Sequence, residues 1–385
     1  MSEIEVSSIS SGVTFSSIID DQEILSSLNK KGIEFASKVQ AAAIPDVING
    51  RDLVVQAQTG SGKTLAFAIP LIMKLRKDPK HGPVSALVVT PTRELATQVC
   101  DVVKELAPDL GVLSVIGGSN INTQIKTLRN SKPPIVVGTP GRLLDLMEQK
   151  ELDLRQCRFL VLDEADEMLS MGFLEEVTKI INRIPRNKQG MFFSATVTPR
   201  VLNLARSFLK DFSFVEIESS SENTPEIEHS YFNCDGGAAD KATLLCSIIE
   251  QYNPANAIVF CNTKSDTELV EVFLARRGID AKRLNSDLPQ KQRDAIMRDF
   301  KGGKLRFLVA TDLAARGIDV SGMDMVINYS IPEQPEVYVH RSGRTGRAGR
   351  SGRSICLVGP QDFFAFHTLG KNTSLDFDRR ELGSV

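Results

Sequence analysis

A short segment near the start of the chain has the composition of a loop that cradles phosphate groups. It follows the apolar run Leu53-Val54-Val55 and precedes an apolar stretch with a helical pattern. Its residues are Ala57, Gln58, Thr59, Gly60, Ser61, Gly62, Lys63 and Thr64. Glycines let the backbone N–H groups turn toward phosphate oxygens, a lysine reaches the β- and γ-phosphates, and a threonine hydroxyl coordinates Mg²⁺. An ordinary glycine-rich turn is the alternative, but the strand–loop–helix context favours a P-loop with Ala57 in place of its first glycine.

An acidic pair follows a second buried run. Asp163 and Glu164 come directly after Phe159-Leu160-Val161-Leu162. Ligands of an open α/β sheet collect at the carboxyl ends of the strands. We expect Asp163 to hold Mg²⁺ through water and Glu164 to polarise the attacking water. Alone, such a pair is more often the charged start of a helix, but the P-loop favours the catalytic interpretation.

Apolar runs of strand length recur along the chain, and the strands that they predict must position the P-loop and the acidic pair. They alternate with longer stretches that have a helical pattern. Their residues are 53–55, 86–89, 135–137, 159–162 and 191–193, then 257–260, 307–310, 325–327 and 354–358. Strands that are apolar on both faces and are separated by helices indicate an α/β fold with parallel sheets covered on both sides.

The polar stretch from 218 to 226 interrupts this pattern and is predicted to be a linker. The chain has 385 residues, a length that suits two domains. The predicted organisation is a flexible N-terminal tail at 1–19, domains at 20–217 and 227–370, and a C-terminal tail at 371–385. The sequences of the two halves do not by themselves show a shared architecture.

Composition limits the class of protein and of partner. The formal net charge is −2, so a nucleic-acid site must be a local basic groove. No apolar run is long enough to span a bilayer, and the N-terminus lacks the pattern of a signal peptide. The six cysteines are scattered, which is typical of reduced thiols in a cytosolic protein. We therefore expect a cytoplasmic protein with no membrane association.

Further motifs resemble those of DEAD-box RNA helicases of helicase superfamily 2, over about residues 15–360. In the first half they are Asp163-Glu164-Ala165-Asp166, Ser194-Ala195-Thr196, Pro91-Thr92-Arg93-Glu94-Leu95-Ala96, Gly117-Gly118 and Thr139-Pro140-Gly141-Arg142. In the second half they are residues 258–263, Gln290 with Arg293, residues 310–319 and residues 340–347. The resemblance implies two tandem RecA-like P-loop domains, ATP and Mg²⁺ as cofactors, and RNA as partner.

The same resemblance implies where the nucleoside is bound. Residues 32–40 resemble the family's Q motif, in which Ser37 and Gln40 face the nucleotide, and Gln40 can both donate to and accept from adenine. Phe15 stands at the family's isolated upstream aromatic position, although it could also be a core anchor. Gly317 and Asp319 are expected near the ribose. The sequence departs from the family pattern at three positions, which are Ile33, Ala36 and Lys38.

Arginines recur at every third position from Arg341 to Arg353. The resemblance makes Arg344 and Arg347 the arginine fingers, donated by the second domain to ATP held by the first. A solvated basic loop or localisation signal is the alternative, and it is preferable for Arg350 and Arg353. In the family, coupling of hydrolysis to domain closure involves Asp166, Ser194, Thr196 and His340.

The expected RNA groove consists of hydroxyls, amides, glycines and arginines, which suit phosphates and 2′-OH groups. In the first domain its residues are Arg93, Gly118, Thr139, Gly141 and Arg142. In the second they are Asn262, Thr263, Arg293, Thr311 and Arg316. The chain has no Trp and only four Tyr, so few rings can stack on bases, and we expect sequence-independent binding.

The predicted function is ATP-dependent, local unwinding of short RNA duplexes by a monomer, with a protein partner for targeting. Three alternatives stay open. An ATP-gated RNA clamp with little unwinding is compatible with every motif. A DNA helicase or translocase is disfavoured by the DEAD spelling and by the motif residues at 91–96 and 139–142. A pseudoenzyme is disfavoured by the presence of Lys63, Asp163, Glu164 and Arg344.

Overall fold

The computed structural model describes residues 10–58, 60–78, 82–217, 227–315, 322–346, 351–373 and 375–383. The chain folds as two compact units, Met1–Ser220 and Ser221–Val385. The predicted linker at 218–226 lies outside the described residues.

The first unit alternates strands and helices. Its strands are β1 (Ser10–Thr14), β2 (Phe35–Ser37), β3 (Leu53–Gln56), β4 (Ala86–Val89), β5 (Val112–Val115), β6 (Ile135–Gly138), β7 (Phe159–Leu162), β8 (Gln189–Ser194) and β9 (Ser213–Glu216). Its helices are α1 (Gln22–Lys30), α2 (Lys38–Ile48), α3 (Lys63–Lys77), α4 (Arg93–Leu106), α5 (Ile121–Ser131), α6 (Pro140–Glu148), α7 (Ala165–Ser170), α8 (Leu174–Ile181) and α9 (Pro199–Phe208).

The main sheet of this unit has seven strands in the order β5-β6-β4-β7-β8-β3-β9, and all its pairs are parallel. Alternate residues of one strand enter different cores: Leu53 and Val55 pack in one buried cluster and Val54 in another. The sheet is therefore covered on both faces, as the uniformly apolar strands predicted.

A small antiparallel pair, β1 with β2, precedes the main sheet. This corrects the prediction of a flexible tail at 1–19, because residues 10–19 are ordered into β1 and a 3₁₀ turn, Phe15–Ser17. The turn is held by the ring of Phe15, which is 1% exposed in the core, and by Ile19 beside it.

The second unit has the same alternation. Its strands are β10 (Ile227–Asn233), β11 (Ala257–Cys261), β12 (Ala281–Leu284), β13 (Phe307–Thr311), β14 (Met325–Asn328), β15 (Gly352–Val358) and β16 (Asp378–Arg380). Its helices are α10 (Ala238–Tyr252), α11 (Lys264–Arg276), α12 (Gln290–Lys301), α13 (Asp312–Ala315), α14 (Pro335–Ser342) and α15 (Phe363–Asn372). The sheet order is β12-β13-β11-β14-β15-β10-β16, again with parallel pairs only.

The segment predicted as a C-terminal tail, 371–385, contains the last strand of this sheet. Strand β16 pairs with β10, so residues 378–380 belong to the fold of the second unit. The segment is anchored by Phe377, whose ring lies 5.2 Å from that of Phe366 and 5.4 Å from that of Tyr338. Its polar sequence, Asp-Arg-Arg, concealed a strand that lies at the sheet edge.

Two further features concern the environment of the chain. All six cysteines are buried free thiols. Within the part of the chain that the structure describes, no helix is both long and apolar enough to cross a bilayer.

Candidate functional site

The P-loop connects β3 to α3 as predicted, and Lys63 is the first residue of that helix. Gly62 has a φ of 94°, a left-handed conformation that favours glycine. The buried ammonium of Lys63 donates a hydrogen bond to the carbonyl oxygen of Ala57 at 2.7 Å, so it lies folded over its own loop. The hydroxyl of Ser61 is buried and has no hydrogen-bond partner among the described residues. A buried donor of this kind suits a phosphate oxygen as partner.

Gln40 is fixed against this loop. It is the third residue of α2, where it forms a capping box with Ser37: the Ser37 N–H donates to Oε1 of Gln40 at 2.8 Å. Its Nε2 donates to the carbonyl oxygen of Gly62 at 3.1 Å. A side chain on Gly62 would collide with this amide. The predicted base-reading residues and the P-loop therefore form one packed unit.

Phe15 belongs to the core of the first unit. Its ring is buried in the core. This burial supports the alternative of a core anchor, and a contact of Phe15 with ATP stays a prediction. Ile33 packs against the same core, half-buried, and Ala36 lies within it.

The acidic pair lies at the end of β7. Asp163 is 2% exposed, and its burial raises the pKa of the carboxyl to about 7, although the charge of Lys63 opposes this shift. Glu164 has a φ of 54°, which is uncommon for a residue with a side chain, and its N–H donates to Oδ1 of Asp163 at 3.0 Å. The two carboxylates on either side of this strained peptide differ in burial: Asp163 is buried, and Glu164 is half-buried beside it.

The DEAD segment is hydrogen-bonded to the loop after β8. Oδ2 of Asp166 accepts from both the N–H and the hydroxyl of Thr196, each at 2.8 Å. The N–H of Asp166 donates to the Ser194 hydroxyl at 3.1 Å, and that hydroxyl donates to the Thr196 carbonyl oxygen at 2.7 Å. These hydrogen bonds hold the two segments together.

Sheet order brings these groups together. Strands β7, β8 and β3 are neighbours and are parallel. Their carboxyl ends therefore lie side by side along one edge of the sheet, the edge that runs across the strand ends. The P-loop, Asp163 and Ser194 all lie there. The donor set fits Mg²⁺: a carboxylate and the hydroxyl of Thr64 are hard oxygen ligands, and Mg²⁺ keeps its remaining sites for water and substrate phosphates.

The predicted RNA-facing residues of this unit lie at the same edge, after the carboxyl ends of the neighbouring strands β4, β6 and β5. Arg93 begins α4 after β4, and its guanidinium lies against Gly117, close to Gly118, after β5. Arg142, in α6, donates to the Ser119 carbonyl oxygen at 3.3 Å. Thr139 and Gly141 flank the start of the same helix. The predicted ATP-binding residues thus lie on one half of this edge and the predicted RNA-binding residues on the other.

In the second unit, Asn262 and Thr263 follow β11, and Thr311 ends β13, the adjacent strand. Arg293 differs from the expectation of an open RNA contact. It is 7% exposed and donates to the carbonyl oxygens of Asn285 at 3.1 Å and Ala314 at 3.5 Å. These contacts support the backbone around α13, and a direct RNA contact by Arg293 stays a prediction.

Sequence reasoning missed Asp312 as a possible functional residue. It follows β13 as Asp163 follows β7, and both of its carboxylate oxygens accept from Arg341. An acidic residue directly after a buried strand was the signal that could have identified it.

Some of the remaining predicted residues lie within the described part of the chain, and others do not. His340 is in α14, and Arg344 lies just beyond that helix; both are half-buried. Five predicted residues lie outside the described part of the chain: Thr59, Arg316, Gly317, Asp319 and Arg347.

Comparison with known proteins gives a consistent result. The family model DEAD/DEAH box helicase matches residues 37–204, and the helicase conserved C-terminal domain matches residues 240–349. The DEAD-box ATP-dependent RNA helicase CshA of Streptococcus pneumoniae is 44% identical over 88% of this chain, which spans 64% of that protein. A probable ATP-dependent RNA helicase of Methanocaldococcus jannaschii is 38% identical over 96% of this chain and 99% of that protein.

A solved structure extends the comparison to the fold. S. cerevisiae Dbp5 bound to RNA and ADP BeF3 matches with a TM-score of 0.84 at 29% identity, over 96% of each chain. The similarity thus includes both units and the strands at whose ends the site residues lie.

Proposed function

Because this chain belongs to the family of DEAD-box ATP-dependent RNA helicases, we propose that it hydrolyses ATP when it binds single-stranded RNA and that it opens short RNA duplexes locally. One observation carries the proposal: the P-loop and Asp163 lie at the same sheet edge as Arg93 and Arg142. ATP and RNA would then occupy neighbouring halves of one edge.

On the ATP half, Lys63 would leave the carbonyl oxygen of Ala57 and bind the β- and γ-phosphates, together with the P-loop N–H groups. Thr64 and Asp163 would hold Mg²⁺, which neutralises charge that develops on the phosphates. Glu164 would accept a proton from the attacking water. Gln40 and Ser37 would read the adenine edge.

On the RNA half, the arginines Arg93 and Arg142 would bind phosphates, while Thr139 and Thr311 would meet 2′-OH groups. These groups recognise the sugar–phosphate backbone, so the binding would not depend on base sequence. Closure of the two units on ATP would bend the bound strand, which a duplex cannot follow, and a few base pairs would open.

Completion of the ATP site requires the second unit in this proposal. Arg344 and Arg347 would contact the γ-phosphate, while Gly317 and Asp319 would lie near the ribose. The contacts between Asp166 and Thr196, with His340, would couple hydrolysis to closure. We propose a cytoplasmic monomer whose RNA targets are chosen by a protein partner.

The test is ATPase activity of the purified chain with RNAs and with DNAs of the same sequence. RNA should stimulate turnover strongly and DNA weakly, because the 2′-OH groups are absent from DNA. Raising the salt concentration should weaken RNA binding, since phosphate contacts release counterions. Equal stimulation by both polymers would point to a DNA helicase or translocase. Stimulation by RNA without strand separation in a duplex assay would instead identify an ATP-gated clamp.

A further inference from the structure

A single guanidinium group joins the ends of neighbouring strands in the second unit. Arg341, in α14, has a side chain that is 1% exposed. Its Nε and Nη2 donate to the two carboxylate oxygens of Asp312, each at 2.6 Å, a bidentate ion pair. Its Nη1 donates to Oδ1 of Asn328 at 3.1 Å and to the carbonyl oxygen of Ser330 at 2.7 Å. One side chain thus binds groups that follow β13 and groups at the end of β14.

The same guanidinium orients Asn262, which follows β11. Nη2 of Arg341 donates to Oδ1 of Asn262 at 2.9 Å, and Nδ2 of Asn262 donates to the carbonyl oxygen of Ile331 at 2.8 Å. Because an arginine can only donate, the amide oxygen must face Arg341 and the amide nitrogen must face Ile331. Asn262 is nevertheless exposed to solvent on its remaining side. Its orientation is therefore set from within the protein while its surface stays accessible.

The chemistry of arginine makes this arrangement hard to replace. The guanidinium also lies over the ring of Phe260, 5.1 Å from its centroid. A lysine has one ammonium group and cannot form the planar fork that binds Asp312, Asn262 and the β14 end at the same time. Removal of one partner would leave a buried charge unpaired, which destabilises a folded protein. Few other side chains could therefore replace Arg341 or Asp312.

We propose that Arg341 is a positioning residue for RNA binding. It holds Asn262 and Asp312, the residue after Thr311, in a fixed relation at the ends of β11 and β13, and it connects both to α14. The inference rests on the proposed function, because Asn262 and Thr311 are proposed RNA contacts. Since α14 also contains His340 and leads to Arg344, the same side chain links the RNA-facing strand ends to the groups proposed to act on ATP.

The experiment uses Arg341→Lys and Asp312→Asn in the full chain, with Arg353→Lys as matched control. Arg353 is half-exposed, pairs with Glu228 at 3.1 Å and lies in the same unit. The readouts are the RNA concentration that gives half-maximal ATPase stimulation, ATP binding without RNA, and the midpoint of thermal unfolding. Both test variants should raise the half-maximal RNA concentration about tenfold, the effect of one charge-assisted hydrogen bond. ATP binding should stay within about twofold, since the P-loop is in the other unit.

A double-mutant cycle separates positioning from general stability. If Arg341 acts through Asn262, Arg341→Lys should add little to the loss of RNA affinity caused by Asn262→Ala. Additive losses would overturn the inference, as would a lowered unfolding midpoint with unchanged RNA half-saturation. If Arg341→Lys does not fold, Asp312→Asn, which preserves shape, decides the same question. A wild-type protein that RNA does not stimulate would instead overturn the proposed function itself.

Discussion

The turn after β7 shows how one residue's backbone can assign a chemical role. Glu164 has a left-handed conformation, whereas Asp163 before it directly follows a regular strand. In an uninterrupted strand, two adjacent carboxylates would point to opposite faces of the sheet. The turn instead leaves Asp163 buried, with its pKa raised to about 7, and leaves Glu164 more accessible. This difference in burial supports the proposed division of roles, with Asp163 as metal ligand and Glu164 as general base.

Glu164→Gln tests this assignment. The amide keeps the shape of the side chain and loses the charge that accepts a proton from water. Single-turnover hydrolysis in the presence of RNA should slow by about 10²-fold or more, the usual contribution of a general base. ATP and RNA should still bind, because the groups proposed to hold them are unchanged.

The matched control is Glu175→Gln, in α8 of the same unit. Glu175 is exposed and lies 3.9 Å from Lys179 in a surface ion pair, and such pairs contribute little. Its loss should leave turnover unchanged. Wild-type rates for Glu164→Gln would remove Glu164 from the mechanism.

At the scale of elements, the site depends on where helices begin. The hydroxyl of Thr92 accepts from the N–H of Leu95 and caps α4, which sets the first residue, Arg93, at the sheet edge. Ser37 does the same for α2 and so places Gln40. Such caps contribute about 1 kcal/mol each. Their larger role here is to fix which residue faces the edge.

The last strand of the second unit supports α14 through an aromatic cluster. Phe377, just before β16, contacts the ring of Tyr338. The hydroxyl of Tyr338 forms a hydrogen bond with Nδ1 of His229 in β10, at 2.7 Å. Burial lowers the pKa of His229, which favours its neutral form in this cluster. Tyr338 is in α14, the helix that contains His340 and Arg341, so the C-terminal segment packs against that helix.

Phe377→Ala should destabilise the second unit by about 2 kcal/mol, less than a fully buried phenylalanine because the ring is half-buried. The measurement is urea unfolding followed by circular dichroism. The control is Leu382→Ala, which removes an apolar side chain that is 48% exposed and should change stability little. Equal effects of the two variants would show that the segment contributes nothing specific.

The central elements of the fold could be predicted from the sequence, and the edge elements could not. Runs such as Leu87-Val88-Val89 are buried on both faces and therefore apolar throughout. Edge strands are half-exposed: β12 contains Lys282 and Arg283, and β16 is Asp-Arg-Arg. At the site, motif residues were found by their order along the chain. The partners of Arg341 were not, since they become neighbours only through strand order.

At the scale of the whole molecule, the two units repeat one topology. The sheet orders are β5-β6-β4-β7-β8-β3-β9 in the first unit and β12-β13-β11-β14-β15-β10-β16 in the second. If strands are counted along the chain from β3 in the first sheet and from β10 in the second, corresponding strands have the same place in both sheets. The sequence did not reveal this repetition. The chemistry is not repeated: β3 leads into the Gly-Lys-Thr of the P-loop, whereas β10 leads into Cys234-Asp235-Gly236-Gly237. We therefore propose that the first unit binds the phosphates and that the second unit supplements it.

This asymmetry predicts that Arg344→Ala separates ATP binding from catalysis. Lys63, Thr64 and Asp163 are in the first unit and should still bind ATP, with an affinity within roughly tenfold of wild type, about 1.4 kcal/mol. Arg344 is in the second unit and is proposed to stabilise charge on the γ-phosphoryl oxygens in the transition state, where an arginine finger contributes about 10³-fold or more.

RNA-stimulated turnover of Arg344→Ala should accordingly fall by orders of magnitude. ATP should no longer tighten RNA binding, because the variant lacks the proposed contact of the second unit with the nucleotide. ATP affinity is measured by equilibrium binding without RNA, and turnover by phosphate release with saturating RNA. The control is Arg379→Ala, an exposed arginine of the same unit, which should behave as wild type. Normal hydrolysis by Arg344→Ala would show that the second unit contributes no arginine finger at this position. A loss of ATP affinity as large as the loss of turnover would show that Arg344 stabilises bound ATP and its transition state equally.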